Sequence, residues 1–526
     1  FGYAVAEVRP QFSRRQEDLA MDITFVLNEA PRVYVERIDV NGNTLTQDKV
    51  LRREFRVAEG DAFNSIGVKR STNRIKSLGF FQENFEIEQK PGSQPDRIVL
   101  EANVEEQPTG ELQLSAGFSS IESFILSGSI RQRNFRGRGQ TLGASVNYSR
   151  FSRSFNVSFT EPYVFDRNIS AGVDIYRRDF NNFGFNNANR RNSFEQATTG
   201  ISARVGVPLS EFMTLVGSYT LNYDDISVGD SFFSAPDANG NRTCIGGLFL
   251  CEVVGQRTSS ILGATLAFDN LDNRFRPTRG MSVSFGTEFA GLGGSVKYLR
   301  VRGKAAKYWN VFNGFILSIT AEGGAINGLA NRPGIGIDDV RLNDRFFLGE
   351  PQFRGFDIRG VGPRVVGLPY VDDDGDPNTP NVVLDLETAR ADNRLSDDAI
   401  GGNAYYLTRA ELEIPLGSGA RELGLRPSIF VDAGALFSVT QPVLRDLPNG
   451  QPILDLNGNQ LYNQIDDDGM GGTVTTQVTD PINPNTGAAN IQLFDPRFAV
   501  QEQFLGNSAK PRVTAGIGVN WNSPFG

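Results

Sequence analysis

The chain has 526 residues, with 52 Lys and Arg against 61 Asp and Glu, and a formal charge of −9. That length excludes one small domain and leaves two or more domains, or one large barrel. The acidic balance argues against nucleic acid as a partner, because that task takes basic faces. With no His and two Cys, His-based triads, most zinc sites, the usual pH switch and a disulfide-dense scaffold are excluded.

No uninterrupted apolar run approaches the roughly 18 residues of a spanning helix, and no basic-then-apolar leader opens the chain. A spanning barrel faces lipid only at every second residue, so its signal is alternation rather than a run. In chain order, Tyr3–Arg9 alternates until Pro10, and Met21–Leu27 alternates with Ile23, Phe25 and Leu27 on one face. Residues 11–18 read as the polar linker of a hairpin. Two strands alone do not make a stable domain, so residues 1–30 read as the C-terminal part of a preceding domain.

Residues 31–108 read as a complete small α+β domain. Val33, Val35, Ile38 and Val40 make a strand, and Asn41-Gly42-Asn43 turns the chain. Thr44 with Gln47 fits a capping box ahead of Val50, Leu51 and Phe55 at helical spacing. A second helix is expected over Ser65–Leu78, with Ile66, Ile75 and Leu78 inward and Gly79 as its stop. Phe80–Glu88, with Phe81, Phe85 and Ile87, and then Ile98–Val104 read as strands. The order is β-α-α-β-β, a size that suits one core.

From Gly110 helical periodicity stops. Alternating stretches follow at Glu111–Phe118, Phe124–Ile130, Thr141–Tyr148, Ser154–Thr160, Ile169–Tyr176, Gly200–Val207 and Thr214–Tyr223. More occur at Ile261–Phe268, Met281–Phe289, Tyr298–Trp309, Gly314–Ala321, Ala404–Ile414, Pro427–Ala433 and Arg512–Trp521. Many approach the length a tilted strand needs to cross a membrane, and sixteen strands over 109–526 would leave roughly 26 residues for each strand and its connection. The expected fold is a membrane β-barrel of about 16 antiparallel strands preceded by a small α+β domain. A large soluble sandwich would alternate as well; the lack of a fixed-period repeat disfavours a β-helix.

The segment Arg345-Phe346-Phe347-Leu348-Gly349-Glu350-Pro351-Gln352-Phe353-Arg354-Gly355-Phe356 resembles the loop motif of the BamA family of outer-membrane β-barrel assembly factors. Arg52-Arg53-Glu54 and Leu78-Gly79-Phe80-Phe81 resemble that family's last POTRA (polypeptide-transport-associated) domain. Residues 134–139, Glu161-Pro162-Tyr163, Asp269-Asn270 with 274–280, 401–404 and 430–434 resemble turns and strands of its barrel, in order. The resemblance implies an outer-membrane protein of a Gram-negative bacterium with periplasmic POTRA domains and a long external loop at about 345–403. It implies folding and insertion of other β-barrels, with unfolded outer-membrane proteins, accessory lipoproteins and the bilayer as partners. No cofactor, metal or catalytic side chain is implied. The alternative is a two-partner secretion pore of the same superfamily; long acidic loops at 370–398 and 440–495 favour the assembly factor.

By that resemblance, Phe353, Arg354, Gly355 and Phe356 form a loop tip pinned inside the barrel, with Arg354 paired to Glu411 and Asp432. An unpaired guanidinium there would be costly. Leu112, Gln113, Leu114, Ser115, Ala116, Gly117 and Phe118 would form the seam strand, whose backbone pairs with an incoming strand. Glu54 is the candidate for lipoprotein docking, against the reading of a solvated carboxylate. Residues 523–526 resemble the turn before the family's closing strand, so the last strand is expected to be missing from this sequence. Cys244 and Cys251 share one polar loop and are expected to form a disulfide in an oxidising compartment; neither has a base beside it that would make it catalytic. Asp237–Asn241, Asp372–Asp376 and Asp455–Asn459 could be read as calcium loops. They lack the EF-hand spacing and its Glu, and Asx-Gly turns explain them.

Overall fold

The protein is described here from a computed structural model. It covers residues 8–15, 20–27, 32–82, 84–119, 123–183, 192–229, 251, 253–274, 276–312, 314–372, 381–392, 394–416, 425–452, 460–467, 473–495 and 499–521. The chain divides into two compact units. One is Phe1–Ser149 with Phe155–Asp174, and the other is Arg150–Ser154 with Ile175–Gly526.

The first unit opens with an antiparallel hairpin, β1 (Val8–Arg15) and β2 (Ala20–Leu27). The strand expected to stop at Pro10 instead runs through it, with Pro10 opposite Phe25. A two-stranded ribbon gives each strand a free edge, where a missing N–H costs little.

Next comes β3 (Tyr34–Asn41), α1 (Asp48–Arg52), α2 (Ser65–Ser77), β4 (Ile87–Pro91) and β5 (Arg97–Asn103). β5 lies between a parallel β3 and an antiparallel β4. A register shift between Val35 and Arg37 explains why the apolar positions of β3 change phase, from Val35 to Ile38. Val35, Ile38, Val50, Leu51, Phe63, Ile75, Phe81, Phe85 and Leu100 build one core.

The expected capping box does not form. α1 starts at Asp48, its N-cap Gln47 makes no side-chain cap bond, and Glu106 takes the local donors instead. That carboxylate accepts from the Thr44 hydroxyl at 2.7 Å and from the backbone N–H of Leu45 and Thr46 at 2.8 and 2.6 Å. In α2 the cap is Asn64, whose side chain accepts from the N–H of Ile66 and Gly67. This fixes the helix phase so that Val68 and Ile75 face the core while Ile66, expected inward, is exposed. Phe80, Phe81 and Phe85 pack into the core, but the strand expected over Phe80–Glu88 begins at Ile87; among the described residues before it, Phe81 bridges to Glu106.

The remaining strands are β6 (Gly110–Ser119), β7 (Ser123–Phe135), β8 (Gln140–Tyr148), β9 (Ser152–Glu161), β10 (Ser170–Phe183) and β11 (Asn192–Pro208). They continue with β12 (Met213–Ser227), β13 (Gly255–Asp269), β14 (Gly280–Gly294), β15 (Tyr298–Asn310) and β16 (Ile316–Gly328). The last three are the strands Ala404–Glu413, Leu425–Phe437 and Arg512–Trp521. Among the described residues all fourteen share one sheet in chain order, with β6 and Arg512–Trp521 at its two ends. Each of the fourteen alternating stretches read from the sequence falls on one of these strands. Against an expectation of about sixteen strands, the sheet holds fourteen among the described residues, with two long connections between the last of them. Among the described residues those connections make small sheets of their own, Arg364–Val371 pairing with Val500–Leu505.

Register settles which residues share a face, since side chains alternate. One face carries Leu262, Phe285, Ile319, Ile429, Val431, Ile517 and Val519, all exposed and apolar. Pairings Ile319–Ala410, Ala410–Val431 and Ile429–Ile517 place the last of these on one continuous face. An apolar band of that extent suits lipid rather than water.

Candidate functional site

The opposite face of the last strands is polar. Glu411 pairs across with Ser318 and Phe430, and Asp432 with Arg409 and Thr514. Two carboxylates, an aromatic ring and a hydroxyl thus meet on one face of three adjacent strands. Into this face the connection between β16 and Ala404–Glu413 brings Arg354.

The guanidinium donates from Nε to Asp432 Oδ2 at 2.9 Å, from Nη2 to Asp432 Oδ1 at 2.7 Å, and from Nη1 to Glu411 Oε2 at 2.9 Å. The first two form a fork-to-fork pair. Its central carbon lies 3.5 Å from the centroid of the Phe430 ring, a cation–π contact. The Asp432 side chain has no exposed surface, whereas Arg354 and Glu411 keep about a quarter of theirs. The Thr514 hydroxyl donates to the Arg354 carbonyl at 2.9 Å.

Neighbouring residues set that position. Phe353 is fully buried and its ring centroid lies 4.6 Å from that of Phe356, edge to face. Phe346, Leu348, Phe353 and Val361 join Tyr298, Ile326, Leu407 and Leu436 in one core. Gly355 has φ +83°, and a Cβ there would stand 3.2 Å from the Thr514 methyl. Gly516 is required for a different reason: a Cβ would lie 2.8 Å from the Phe430 ring, so the ring that carries Arg354 lies over that backbone. Sequence reasoning named Arg354, Glu411, Asp432 and Gly355 but missed Phe430, Thr514 and Gly516. Only the pairing of Leu425–Phe437 with Arg512–Trp521 brings those three together.

Leu112 through Phe118 all lie in β6 and are exposed, Leu112 and Phe118 at 72% and 82%. β6 pairs with β7, Leu112 opposite Ile130 and Phe118 opposite Phe124. Its second edge has no strand partner among the described residues.

Glu54 is not the solvated carboxylate that stood as the alternative to a docking role. It is 4% exposed. It pairs with Arg74 at 2.6 Å and Arg53 at 3.8 Å, and it accepts a hydrogen bond from the Tyr163 hydroxyl at 3.2 Å. Arg53 lies over the Tyr163 ring at 4.1 Å. Burial, and then the Glu54 charge, push the Tyr163 hydroxyl up. Tyr163 belongs to the turn after β9, and the turn after β7 docks beside it. There Asn134 donates to the Thr46 hydroxyl at 2.7 Å, and the Gln47 N–H donates to the Gly137 carbonyl at 2.8 Å. Within this unit the α1 end of the small domain is therefore bound to the turns of the first strands.

Of the expected disulfide pair, Cys244 lies outside the described residues; Cys251 is disulfide-bonded. Residues 237–241, 373–376, 455–459 and 523–526 also lie outside them. Among the described residues no cluster of His, Cys, Asp and Glu could hold a metal ion. No helix is long and apolar enough to cross a membrane, which says nothing of a barrel.

A β-α-α-β-β domain ahead of a large antiparallel sheet, with a salt-bridged loop against one face of it, defines a POTRA-plus-barrel protein. The chain belongs to the Omp85 superfamily, whose domain model matches residues 134–526; the POTRA model, described as a surface antigen variable number repeat, matches 33–107. It is 30% identical over 440 residues to the outer membrane protein assembly factor BamA of Neorickettsia risticii, covering 84% of this chain and 51% of that protein. BamA of Neisseria meningitidis is 24% identical over 446 residues, covering 83% and 51%. The chain thus spans about half the length of these curated relatives. The crystal structure of Haemophilus ducreyi BamA lacking POTRA domains 1–3 matches with a TM-score of 0.60 at 21% identity, covering 98% of this chain and 90% of that one. That likeness shows the fold: a β-barrel preceded by POTRA structure.

Proposed function

We infer that this protein folds and inserts β-barrel proteins into the outer membrane of a Gram-negative cell, with its small domain in the periplasm. The observation that carries the reading is β6, an edge strand at one end of the sheet of an Omp85-superfamily chain, with Leu112, Leu114 and Phe118 along one face. Such an edge offers a row of N–H and C=O groups to an incoming strand. Main-chain pairing is indifferent to most substrate side chains, so many sequences are served without a bond-making residue, metal or cofactor. Membership of the Omp85 superfamily and the similarity to proteins named as outer membrane assembly factors support it.

Arg354 serves this role by fixing the loop against the last strands. It holds Asp432 and Glu411, and its carbonyl holds Thr514 of the terminal strand. Unfolded outer-membrane proteins are the substrate. Accessory lipoproteins dock on the periplasmic domain, at surface other than the Glu54 carboxylate, which Arg74, Arg53 and Tyr163 occupy.

Reconstitution tests the reading. The full-length protein in vesicles of outer-membrane lipid is given a denatured β-barrel substrate, and folding is followed by heat-modifiable mobility. Folding faster than in empty vesicles, and slowed by proline at Gln113 or Leu114 (adjacent positions, one of which aims its N–H at the open edge), is expected. Passage of an unfolded passenger into the vesicle, with no barrel inserted, would replace this reading with a secretion pore.

A further inference from the structure

The loop that carries Arg354 has a second charged contact, at its other end and on a different part of the sheet. Asp344, in the turn Leu342–Asp344, accepts from Arg257 Nη1 of β13 at 2.8 Å. The same guanidinium donates from Nε to Asp224 Oδ2 of β12 at 3.0 Å. Asp224 in turn accepts from the Thr198 hydroxyl at 2.6 Å and from Gln196 at 3.2 Å, both in β11. Arg300 of β15 donates to the Asp344 carbonyl, and Asn343 donates to Gln196. Residues 343 and 344 therefore touch β11, β13 and β15 and reach β12 through Arg257, and their hydrogen bonds and ion pairs go to none of the three strands that hold Arg354.

The two anchors differ in burial. The side chains of Arg257, Asp224 and Asp344 are 6%, 5% and 10% exposed, so every member of that cluster is sealed, while at the other anchor Asp432 is sealed but Arg354 and Glu411 are 28% and 23% exposed. When the Arg354 end parts, water can reach the guanidinium and Glu411 and only Asp432 is left bare, whereas parting the Asp344 end leaves all three of its charges bare. They differ in position too. Arg354 holds Thr514 of the terminal strand, and the Asp344 cluster holds strands in the middle of the sheet.

We propose that Asp344 is a positioning residue: with Arg257 it is the fixed end of the loop, and the Arg354 end swings about it when its own contacts to the last strands part. The loop thus hinges rather than leaving as one piece. This concerns how the loop is held and stands whether the protein inserts barrels or secretes a passenger.

Hydrogen exchange on the full-length protein in lipid nanodiscs reads both ends at once. In Arg354→Ala, exchange over residues 350–358 is expected to rise on the order of tenfold, while 340–348 keeps wild-type protection. In Asp344→Asn both segments are expected to loosen, and Asp344→Glu, which keeps the charge, restores 350–358. Equal loosening of both segments by Arg354→Ala overturns the proposal, as does Asp344→Asn leaving 350–358 unchanged. If Asp344→Asn does not assemble, the Arg354→Ala result decides alone: protection kept at 340–348 supports the hinge and protection lost there overturns it.

Discussion

Asp432 and Arg354 are joined by two parallel hydrogen bonds, at 2.9 and 2.7 Å, and the Asp432 side chain is wholly sealed from solvent. A carboxylate in that position has no second source of compensation in water. Truncating Arg354 leaves it bare, and such a loss from a buried pair costs about 3–5 kcal/mol. Glu411 shares the guanidinium but keeps some exposure, so it can turn to water. Double-mutant cycles on full-length protein, read by denaturant unfolding, should therefore give a larger coupling for Arg354 with Asp432 than for Arg354 with Glu411. Arg354→Lys should recover only part of the stability, because an ammonium cannot make the forked pair.

The ring beneath Arg354 can lie over the backbone at residue 516 only because that residue is glycine. Gly516→Ala would place a methyl group 2.8 Å from a Phe430 ring carbon. The ring must then lift, and the guanidinium stacked at 3.5 Å must move with it. Gly516→Ala should destabilise by about 1–3 kcal/mol, and Gly516→Ala combined with Phe430→Leu by less than the sum of the two.

Glu54 ties the small domain to the turn after β9. Glu54→Lys would face Arg74 and Arg53 with a third cation and should raise hydrogen exchange in both α1 and residues 161–167. Tyr163→Phe removes two hydrogen bonds, the one donated to Glu54 and the one accepted from Arg74 at 3.3 Å, and should cost about 0.5–1.5 kcal/mol for each, with a smaller rise in the same peptides. A change confined to α1 would show that Glu54 acts inside the small domain only.

Glu106 makes the small domain sensitive to acid. Burial would raise its carboxyl, but the hydroxyls of Thr46 and Thr44 and the N–H groups of Leu45 and Thr46 outweigh that and bring it down to about 2. A group whose pKa is depressed on folding contributes stability above its unfolded value, and the contribution falls away as pH drops toward the folded one. Unfolding of the small domain, followed by exchange in β3 and β5, should ease between about pH 4.5 and about pH 2. Glu106→Gln should remove that dependence and lower stability at neutral pH.

How far the sequence went depended on how local each cause is. Alternation is local, so all fourteen strands were visible, from Leu112 to Val519. The β-α-α-β-β order of the small domain was equally visible. Its capping box was not reliable, because Glu106 outcompeted Gln47 from the far end of the domain. Ile66 looked inward by spacing, and Asn64 set the phase otherwise. Glu54 looked solvated because its cover, Tyr163, is 109 positions away. Arg354 could be matched to Glu411 and Asp432 through a resemblance. Phe430, Thr514 and Gly516, and the Asp224–Arg257–Asp344 cluster, become neighbours only through register across the sheet, which composition and periodicity do not encode.

The measurement that bears most directly on the proposed function is photocrosslinking from residues 112 to 118, one position at a time, in the full-length protein stalled with a half-folded barrel substrate. Strand addition at β6 predicts crosslinks to the substrate's terminal strand with an efficiency that alternates along 112–118, because successive side chains point to opposite faces. Crosslinks without that alternation, or none from β6 while positions around Arg354 capture an unfolded passenger, would contradict it.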